Sequence, residues 1–420
     1  MAALSKTVPV ETGGAALAAL RRRAVILAAI AQNCALGLTF GSIGPLLPAF
    51  QSEFGASRGQ ASLAAGLFVL TMSLASPGIG RLLTRVPVRA IMMAGAALSA
   101  LGYALLIFAN DIGSVLLVYG VVLGPAACML GVLPASTHVS QWVDEGRGKA
   151  LGLVNMPILL CIMPPVSALI LTRYGMDTLF VVIACLFFLC MVATSRVIDR
   201  PKDDGRTDSA GNIPETLLST RQILAQPDFW RLSIGVGIIA GGGTMITAHL
   251  VPLAGDREIP VMTASWLLSA YAGAGLAGAL LFGWLADRLG SSVALVIAAL
   301  VQAIAWVLLI FPFGFGALLA LAIVIGMGGT GILALHAAAI GEIFGRANVA
   351  AVFGASYLPK LLFIFGAPPL AGILHDLTGS YRAALLLHVI MFFIALAGFL
   401  LLPRRGHVRT MPPKTHSRRN

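Results

Sequence analysis

The 420-residue sequence predicts an all-α membrane protein in which 12 transmembrane helices form two pseudo-symmetric six-helix bundles. Three observations lead to this fold class. Charged residues make up 11% of the chain and hydrophobic residues 58%, whereas soluble proteins average about 25% and about 45–50%. The apolar residues come in long runs, and several sequence features recur after an offset of about 204 residues.

A helix needs roughly 20 mostly apolar residues to cross the hydrocarbon core of a bilayer. Twelve segments meet that requirement, and we number them spans 1 to 12. The spans are predicted at residues 24–49, 60–80, 88–109, 114–139, 149–171, 177–198, 230–253, 263–285, 291–311, 315–340, 348–373 and 381–402. Span 1 follows three arginines, as a signal peptide would, but it is too long for a signal-peptide core and lacks a clear cleavage site.

The basic residues predict the orientation, because Lys and Arg hold loops on the cytoplasmic side. With the N-terminus in the cytoplasm, 23 of the 28 Lys and Arg residues fall in cytoplasmic loops or tails and four fall outside. We therefore expect a multi-pass protein of the cell inner (plasma) membrane with both termini cytoplasmic. The same asymmetry accounts for the basic pI without a nucleic-acid partner. The one basic residue left over is Lys360.

One long polar stretch separates the spans into two groups of six, and its composition is that of a flexible cytoplasmic linker. The predicted organisation is an N-terminal bundle with its cytoplasmic tail (1–198), the linker (199–228), a C-terminal bundle (229–402) and a basic cytoplasmic tail (403–420).

The two halves resemble each other. Pro164-Pro165 in span 5 corresponds to Pro368-Pro369 in span 11, and Pro48 at the end of span 1 corresponds to Pro252 at the end of span 7. Internal repeats of this kind are typical of transporters whose halves enclose a substrate site near the membrane midplane.

The loop between spans 8 and 9 resembles the signature loop of the major facilitator superfamily. It reads Gly283-Trp284-Leu285-Ala286-Asp287-Arg288-Leu289-Gly290, and the corresponding loop of the first half, Gly80-Arg81-Leu82-Leu83-Thr84-Arg85, is a degenerate copy in which Thr84 replaces the usual Asp. The resemblance implies the major facilitator fold and a loop that locks the inner gate through contacts between the halves. The gating residues that it implies are Gly283, Asp287, Arg288, Gly290, Arg81 and Arg85.

Motifs of the second half resemble one branch of that superfamily, the monocarboxylate porters and oxalate/formate antiporters. They are Asp228-Phe229-Trp230, His249-Leu250-Val251-Pro252, Phe344-Gly345-Arg346 and Gly372-Ile373-Leu374-x-Asp376-x-x-Gly379-Ser380-Tyr381. Carriers of this branch move small organic anions, and the oxalate/formate antiporters hold carboxylates with a Lys in span 11 and an Arg in span 8. Lys360 matches the first. Span 8 contains neither Arg nor Asp, which argues against a dicarboxylate held by two cations.

Lys360 is a candidate anion-binding residue on physical grounds as well. It lies near the middle of span 11, about 18 Å from either end by the helix rise, and a lysine at that depth costs roughly 2.5–3.5 kcal/mol to insert. All 17 acidic residues fall in loops or tails, so no intramembrane carboxylate is expected to pair with it. Two interpretations stay open: Lys360 binds a substrate anion, or it is neutral or rests on carbonyls freed by the prolines of span 11.

Five other residues are weaker candidates for substrate contact or proton coupling. Tyr357 shares the helix face of Lys360, and Tyr271 in span 8 and Asn33 in span 1 are further candidate substrate contacts, although each could instead hold helices together. His336 and His249 are candidates for proton coupling, because histidine titrates near neutral pH. Because no intramembrane Asp or Glu is expected, only these histidines or Lys360 could carry a proton. We therefore expect transport to be anion exchange or weakly proton-coupled.

The predicted function is secondary active transport of a small organic anion, a carboxylate, by alternating access. The alternative is an efflux transporter for neutral or amphipathic compounds. The chain has no HExxH motif, no paired intramembrane aspartates and no Walker-type loop, so we expect neither an enzyme nor an ATP-driven pump. We expect no cofactor and no metal. The expected partners are the small-molecule substrate, protons and the lipid bilayer. The oligomeric state is open, with a monomer expected.

Overall fold

The computed structural model of the protein describes residues 14–143, 146–199, 218–345 and 348–403. Within these ranges the regular elements are helices, which confirms the all-α fold class. Most of the predicted linker and nearly all of the predicted basic tail lie outside the described residues.

The helices of the first half are Gly14–Gln32, Thr39–Phe54, Arg58–Arg85, Val88–Leu106, Ile112–Leu117, Gly124–Leu130, Val132–Trp142, Arg147–Val154 and Ile158–Thr194, and π-helical turns at Asn33–Leu38 and Val118–Leu123 connect the pieces of spans 1 and 4. The helices of the second half are Thr220–Leu224, Pro227–Gly255, Val261–Leu289, Ser291–Leu309, Phe315–Phe344, Val349–Ala355, Tyr357–Thr378 and Arg382–Leu400.

Ten described segments are long and apolar enough to cross a membrane, so the predicted count of 12 is not reproduced as such. Predicted spans 5 and 6 fall in one segment, Lys149–Thr194, because the loop expected between them is reduced to a break at Gly175. The backbone φ of Gly175 is 83°, a conformation that other residues rarely adopt. Predicted span 10 lies in the 30-residue helix Phe315–Phe344, which contains two shorter apolar stretches.

Each half of the chain has its own apolar core. The first half packs around Tyr103, Phe180 and Phe187, and the second around Trp306 and Phe392. The two bundles meet where span 1 contacts span 7, span 2 contacts span 11 and span 5 contacts span 8.

The sequence repeat is visible in the packing. Gly37 of span 1 lies so close to span 5 that an added Cβ would stand 2.6 Å from Cβ of Leu159. Gly241 and Phe363, each 204 positions further along the chain, make the same approach between spans 7 and 11, where an added Cβ would stand 2.7 Å from the Phe363 carbonyl oxygen. The two bundles are therefore built around equivalent close helix contacts.

Polar contacts join the two bundles at the end that the charge count assigns to the outside. The Arg58 guanidinium at the start of span 2 donates two hydrogen bonds to the Asp256 carboxylate after span 7, at 2.7 and 2.5 Å. The His375 Nε2 atom lies 3.1 Å from the same carboxylate. The Asp376 carboxylate accepts hydrogen bonds from the backbone N–H groups of Arg58 and Gly59, at 3.0 and 2.8 Å.

We call Arg58, Asp256, His375 and Asp376 the outer latch. The Asp376 carboxylate lies at the positive end of the span 2 helix dipole and satisfies two of the N–H groups that a helix leaves unpaired at its start. Beneath the latch, spans 2 and 11 are in close contact, because an added Cβ on Gly372 would lie 2.6 Å from Ser62 Oγ. The latch therefore covers an already tight seam between the bundles.

Neutralising Asp256 is expected to favour opening of this seam. Ser62 is fully buried in the seam, so a Ser62→Cys reporter, in a background in which the five native cysteines are replaced by Ala, reacts with an impermeant maleimide only when the seam opens. A partly exposed ion pair contributes about 1 kcal/mol, so Asp256→Asn is expected to raise the labelling rate about fivefold.

The matched control is Glu258→Gln, which neutralises an exposed carboxylate in the same loop. It is expected to leave the labelling rate unchanged. Equal labelling rates in the Asp256→Asn variant and in the reporter protein with Asp256 would show that the ion pair does not hold the bundles together.

Candidate functional site

Lys360 lies just after a break in span 11. The helix Val349–Ala355 ends at Ser356, and a second helix begins at Tyr357, so that Lys360 stands in its first turn. The side chain is 2% exposed. On the neighbouring span 7, an added Cβ on Gly237 would lie 3.0 Å from the Lys360 Cα atom, so the glycine there leaves the space that the lysine backbone occupies.

Two aromatic rings and one histidine surround the Lys360 ammonium. The Nζ atom lies 4.4 Å from the ring centroid of Phe353 and 5.2 Å from that of Tyr357. It also lies 3.5 Å from Nδ1 of His336 in span 10. Ring faces attract a cation only modestly, so these contacts offset part of the cost of burying the charge.

Lys360 forms no ion pair within the described residues. A lysine ammonium carries three N–H donors and no acceptor, and the only hydrogen-bond acceptor that it meets among those residues is His336 Nδ1. Donor capacity is therefore left over at a buried cation, which is the condition that a bound anion would relieve.

His336 adds a second unmatched donor. Because the ammonium can only donate, Nδ1 of the ring accepts and the ring proton of neutral His336 is on Nε2. The Nε2 atom is buried and has no hydrogen-bond partner among the described residues. The ring packs against Phe353, with 4.9 Å between the centroids. Lys360 and His336 thus present N–H groups with no matching acceptor.

Tyr357 lies where the two bundles face each other. Ser73 of span 2 and Cys128 of span 4 lie near its hydroxyl. The side chain is 41% exposed, in contrast to Lys360 beside it. Tyr357 is therefore placed to reach both the lysine and a molecule lying between the bundles.

Asn33 has both ends of its amide engaged within the protein. Its Nδ2 group donates to the Ala29 carbonyl at 3.0 Å, and its Oδ1 atom accepts from the backbone N–H of Leu159 at 3.1 Å. Leu159 stands at the start of the helix that follows Pro157, where N–H groups have no partner within the helix. These contacts favour the helix-joining alternative for Asn33.

Tyr271 is buried between spans 7, 8 and 10. Its hydroxyl donates to the Gly243 carbonyl at 3.5 Å, and the backbone of span 10 approaches it closely at Gly326. Within the described residues it forms no hydrogen bond with Lys360.

His249 is fully buried below the outer latch, and both of its ring nitrogens are engaged. Nε2 lies 2.8 Å from the Pro368 carbonyl oxygen, which can only accept, so Nε2 donates. Nδ1 then accepts from the Tyr381 hydroxyl, also at 2.8 Å. Both ring nitrogens of His249 are therefore occupied by partners within the C-terminal bundle, and neither is left for a substrate.

The predicted gating residues lie at the opposite end of the bundles from the latch. The Arg288 guanidinium stacks over the Trp284 ring, with 4.6 Å from Cζ to the centroid. Gly290 has a φ of 89°, which accounts for glycine at the turn between spans 8 and 9. Arg81 and Arg85 are exposed, and nothing lies within 4 Å of an added Cβ on Gly283. Asp287 lies in the last turn of the same helix, Val261–Leu289.

Lys360 and His336 were each identifiable in the sequence, but their contact was not predicted. The outer latch residues were interpreted as ordinary loop charges. A signal for the latch was present, since Asp376 stands inside the motif that ends at Tyr381, and Tyr381 stacks under Arg58 with 5.2 Å from Cζ to the ring centroid.

Comparison with known proteins supports the fold and the branch. The family model of the Major Facilitator Superfamily matches residues 29–260 and 232–419. Monocarboxylate transporter 13 of Rattus norvegicus is 24% identical over 392 residues, which cover 92% of this chain and 88% of the relative. Monocarboxylate transporter 11 of Homo sapiens is 27% identical over 382 residues, covering 86% and 79%.

A bacterial relative and a solved structure agree with these matches. The uncharacterized MFS-type transporter YcxA of Bacillus subtilis is 24% identical over 373 residues, covering 83% of this chain and 86% of the relative. The solved structure of a bacterial homolog to the human lysosomal transporter Spinster shares the fold at 16% identity, with a TM-score of 0.72 over 93% of this chain and 97% of that chain.

The predicted resemblance to the monocarboxylate branch is thereby confirmed. With two helical bundles, a repeat that relates them and a family match over both halves, the protein belongs to the Major Facilitator Superfamily of membrane transporters.

Proposed function

We propose that the protein is a secondary active transporter that carries a small organic anion, a carboxylate, across the cell inner (plasma) membrane by alternating access, and that Lys360 binds the anion. The observation that carries the proposal is the Lys360 ammonium, 2% exposed and without an acidic partner among the described residues. The names of the related monocarboxylate transporters support the same substrate class.

The site offers one lysine and one histidine to a substrate. A carboxylate oxygen bound to Lys360 Nζ gives the ammonium a charge-assisted hydrogen bond, which is about twice as strong as a neutral one. The His336 Nε2–H group and the Tyr357 hydroxyl are the further donors that the substrate could use. With one resident cation the site matches a single carboxylate better than a pair.

Alternating access follows from the division into two bundles. The outer latch holds the bundles together at one end, and the loops with Arg81, Arg85 and Arg288 lie at the other. In this account the anion enters and leaves as the bundles rock about the seams between spans 1 and 7 and between spans 2 and 11. The orientation, with both termini cytoplasmic, rests on the charge count.

His336 is the better placed of the two histidines for proton coupling. A proton on His336 Nδ1 would stand beside the Lys360 ammonium, at the 3.5 Å contact, and the two positive charges would repel. A bound carboxylate offsets that repulsion and so favours the protonated ring. By linkage, protonation then favours anion binding to the same extent, which would make transport weakly proton-coupled.

Replacing Lys360 is expected to abolish anion transport. Lys360→Gln removes the charge while keeping a chain of similar reach, so uptake into proteoliposomes is expected to fall to the level of empty vesicles. Purified protein is expected to be stabilised against heating by a small monocarboxylate, and Lys360→Gln is expected to lose that stabilisation.

The matched control is Lys149→Gln, which removes one positive charge at an exposed position on the predicted cytoplasmic side and is expected to transport normally. Full uptake of the substrate by Lys360→Gln would contradict the proposal. Stabilisation of the unaltered protein by hydrophobic cations alone would favour the efflux transporter instead.

The pH dependence of anion binding is expected to require His336. In the unaltered protein the affinity for a fully ionised carboxylate is expected to rise as the pH falls, because the proton and the anion favour each other at this site. His336→Gln is expected to bind the anion with an affinity that is nearly independent of pH, measured by titration calorimetry across the neutral range.

The comparison variant is His249→Gln. Because both ring nitrogens of His249 are engaged by Pro368 and Tyr381, away from Lys360, this variant is expected to keep the pH dependence. The same pH dependence in His336→Gln as in the unaltered protein would place the titrating group elsewhere.

A further inference from the structure

A basic groove lies on the surface of the N-terminal bundle, at the predicted cytoplasmic ends of spans 1 and 6. Its volume is about 780 Å³, and its polar lining consists of Arg22, Arg23 and Arg196. Arg22 and Arg23 precede the apolar part of span 1, and Arg196 follows that of span 6. Three guanidinium groups from two spans therefore converge at the height of the membrane surface.

One of the three arginines also fixes the shape of the groove. The Arg23 guanidinium donates to the backbone carbonyl of Arg196 at 2.7 Å, which joins the ends of spans 1 and 6. The adjacent Arg21 donates to the Trp142 carbonyl at 3.1 Å and points toward span 4 instead. The side chains of Arg22 and Arg196 are exposed, and neither forms an ion pair with a described residue.

The nearest described carboxylate along the chain is committed elsewhere. Asp199 follows Arg196 by three residues, and its two oxygens accept hydrogen bonds from the backbone N–H groups of Val88 and Arg89, at 2.9 and 3.3 Å. It therefore caps the start of span 3. Among the described residues, no carboxylate neutralises the arginines of the groove.

Apolar rows run from the arginines into the membrane-spanning part of both helices. Residues four apart share a helix face, and below Arg22 that face carries Ile26 and Ile30, which are 48% and 38% exposed. Below Arg196 the corresponding positions are Val192 and Phe188, 43% and 55% exposed. A positively charged site at the surface thus continues into two apolar rows that face the lipid.

We propose that this groove is a binding site for an anionic phospholipid of the cytoplasmic leaflet, whose phosphate is held by Arg22, Arg23 and Arg196 and whose acyl chains lie along the two apolar rows. Planar guanidinium groups match phosphate oxygens in pairs. The apolar rows favour a lipid over a free phosphate ion, because a phosphate ion would use only the arginines.

The test is lipid binding to the purified full-length protein, measured by native mass spectrometry during titration with phosphatidylglycerol or phosphatidylcholine. The protein is expected to retain phosphatidylglycerol and to bind phosphatidylcholine much more weakly. An arginine near an anionic lipid contributes about fivefold in affinity, so Arg22→Gln combined with Arg196→Gln is expected to weaken phosphatidylglycerol binding about 25-fold.

The control is Lys149→Gln combined with Arg221→Gln, which removes the same charge from exposed positions on the same predicted side and is expected to bind phosphatidylglycerol normally. A second variant, Arg22→Lys combined with Arg196→Lys, is expected to bind phosphatidylglycerol more tightly than the double glutamine variant, because it keeps the charge, and more weakly than the unaltered protein, because lysine lacks the paired N–H donors.

Three results would overturn the proposal. They are equal phosphatidylglycerol affinity in the double glutamine variant and the unaltered protein, equal loss in the control variant, and displacement of the lipid by millimolar inorganic phosphate, which would identify a free-anion site. None of these measurements depends on whether Lys360 binds the transported anion.

Discussion

A buried ammonium group that meets no counter-ion among the described residues is the constraint around which the centre of this transporter is arranged. Lys360 is 2% exposed, and the described residues offer it ring faces and one imidazole nitrogen but no carboxylate. The glycine at position 237 leaves room for the lysine backbone, and Phe353 packs against both the ammonium and His336. A charge kept at such a cost is most simply explained by an anion that arrives from outside the protein.

One helix connects this site to the outer latch. The helix Tyr357–Thr378 begins next to Lys360 and ends with His375 and Asp376, which contact the span 7 end and span 2. Its prolines free backbone carbonyls for contacts with other spans. The Thr244 hydroxyl of span 7 donates to the Ile364 carbonyl at 3.0 Å, where Pro368 has no N–H to offer. A shift of span 11 that follows anion binding would therefore be felt at the latch and by His249, which donates to the Pro368 carbonyl.

Composition and periodicity were sufficient for the fold, because a bilayer leaves few structures other than helices for long apolar runs. The repeat predicted which helices are equivalent, and Gly37 and Gly241 make equivalent contacts. Lys360 was identifiable because a charge stands out in an apolar span. Its pairing with His336 was not, since the two residues lie on different helices whose rotation depends on packing. The break at Gly175 lies inside the five-residue gap predicted between spans 5 and 6, and only the shortness of the break was not predicted.

The most direct test of the account is a structure of the protein determined by electron cryo-microscopy with a stabilising carboxylate bound. We predict density for the carboxylate within hydrogen-bonding distance of Lys360 Nζ, with the ammonium turned from His336 Nδ1 toward the ligand. A substrate bound between the bundles away from Lys360, with the contact between Lys360 and His336 unchanged, would contradict it.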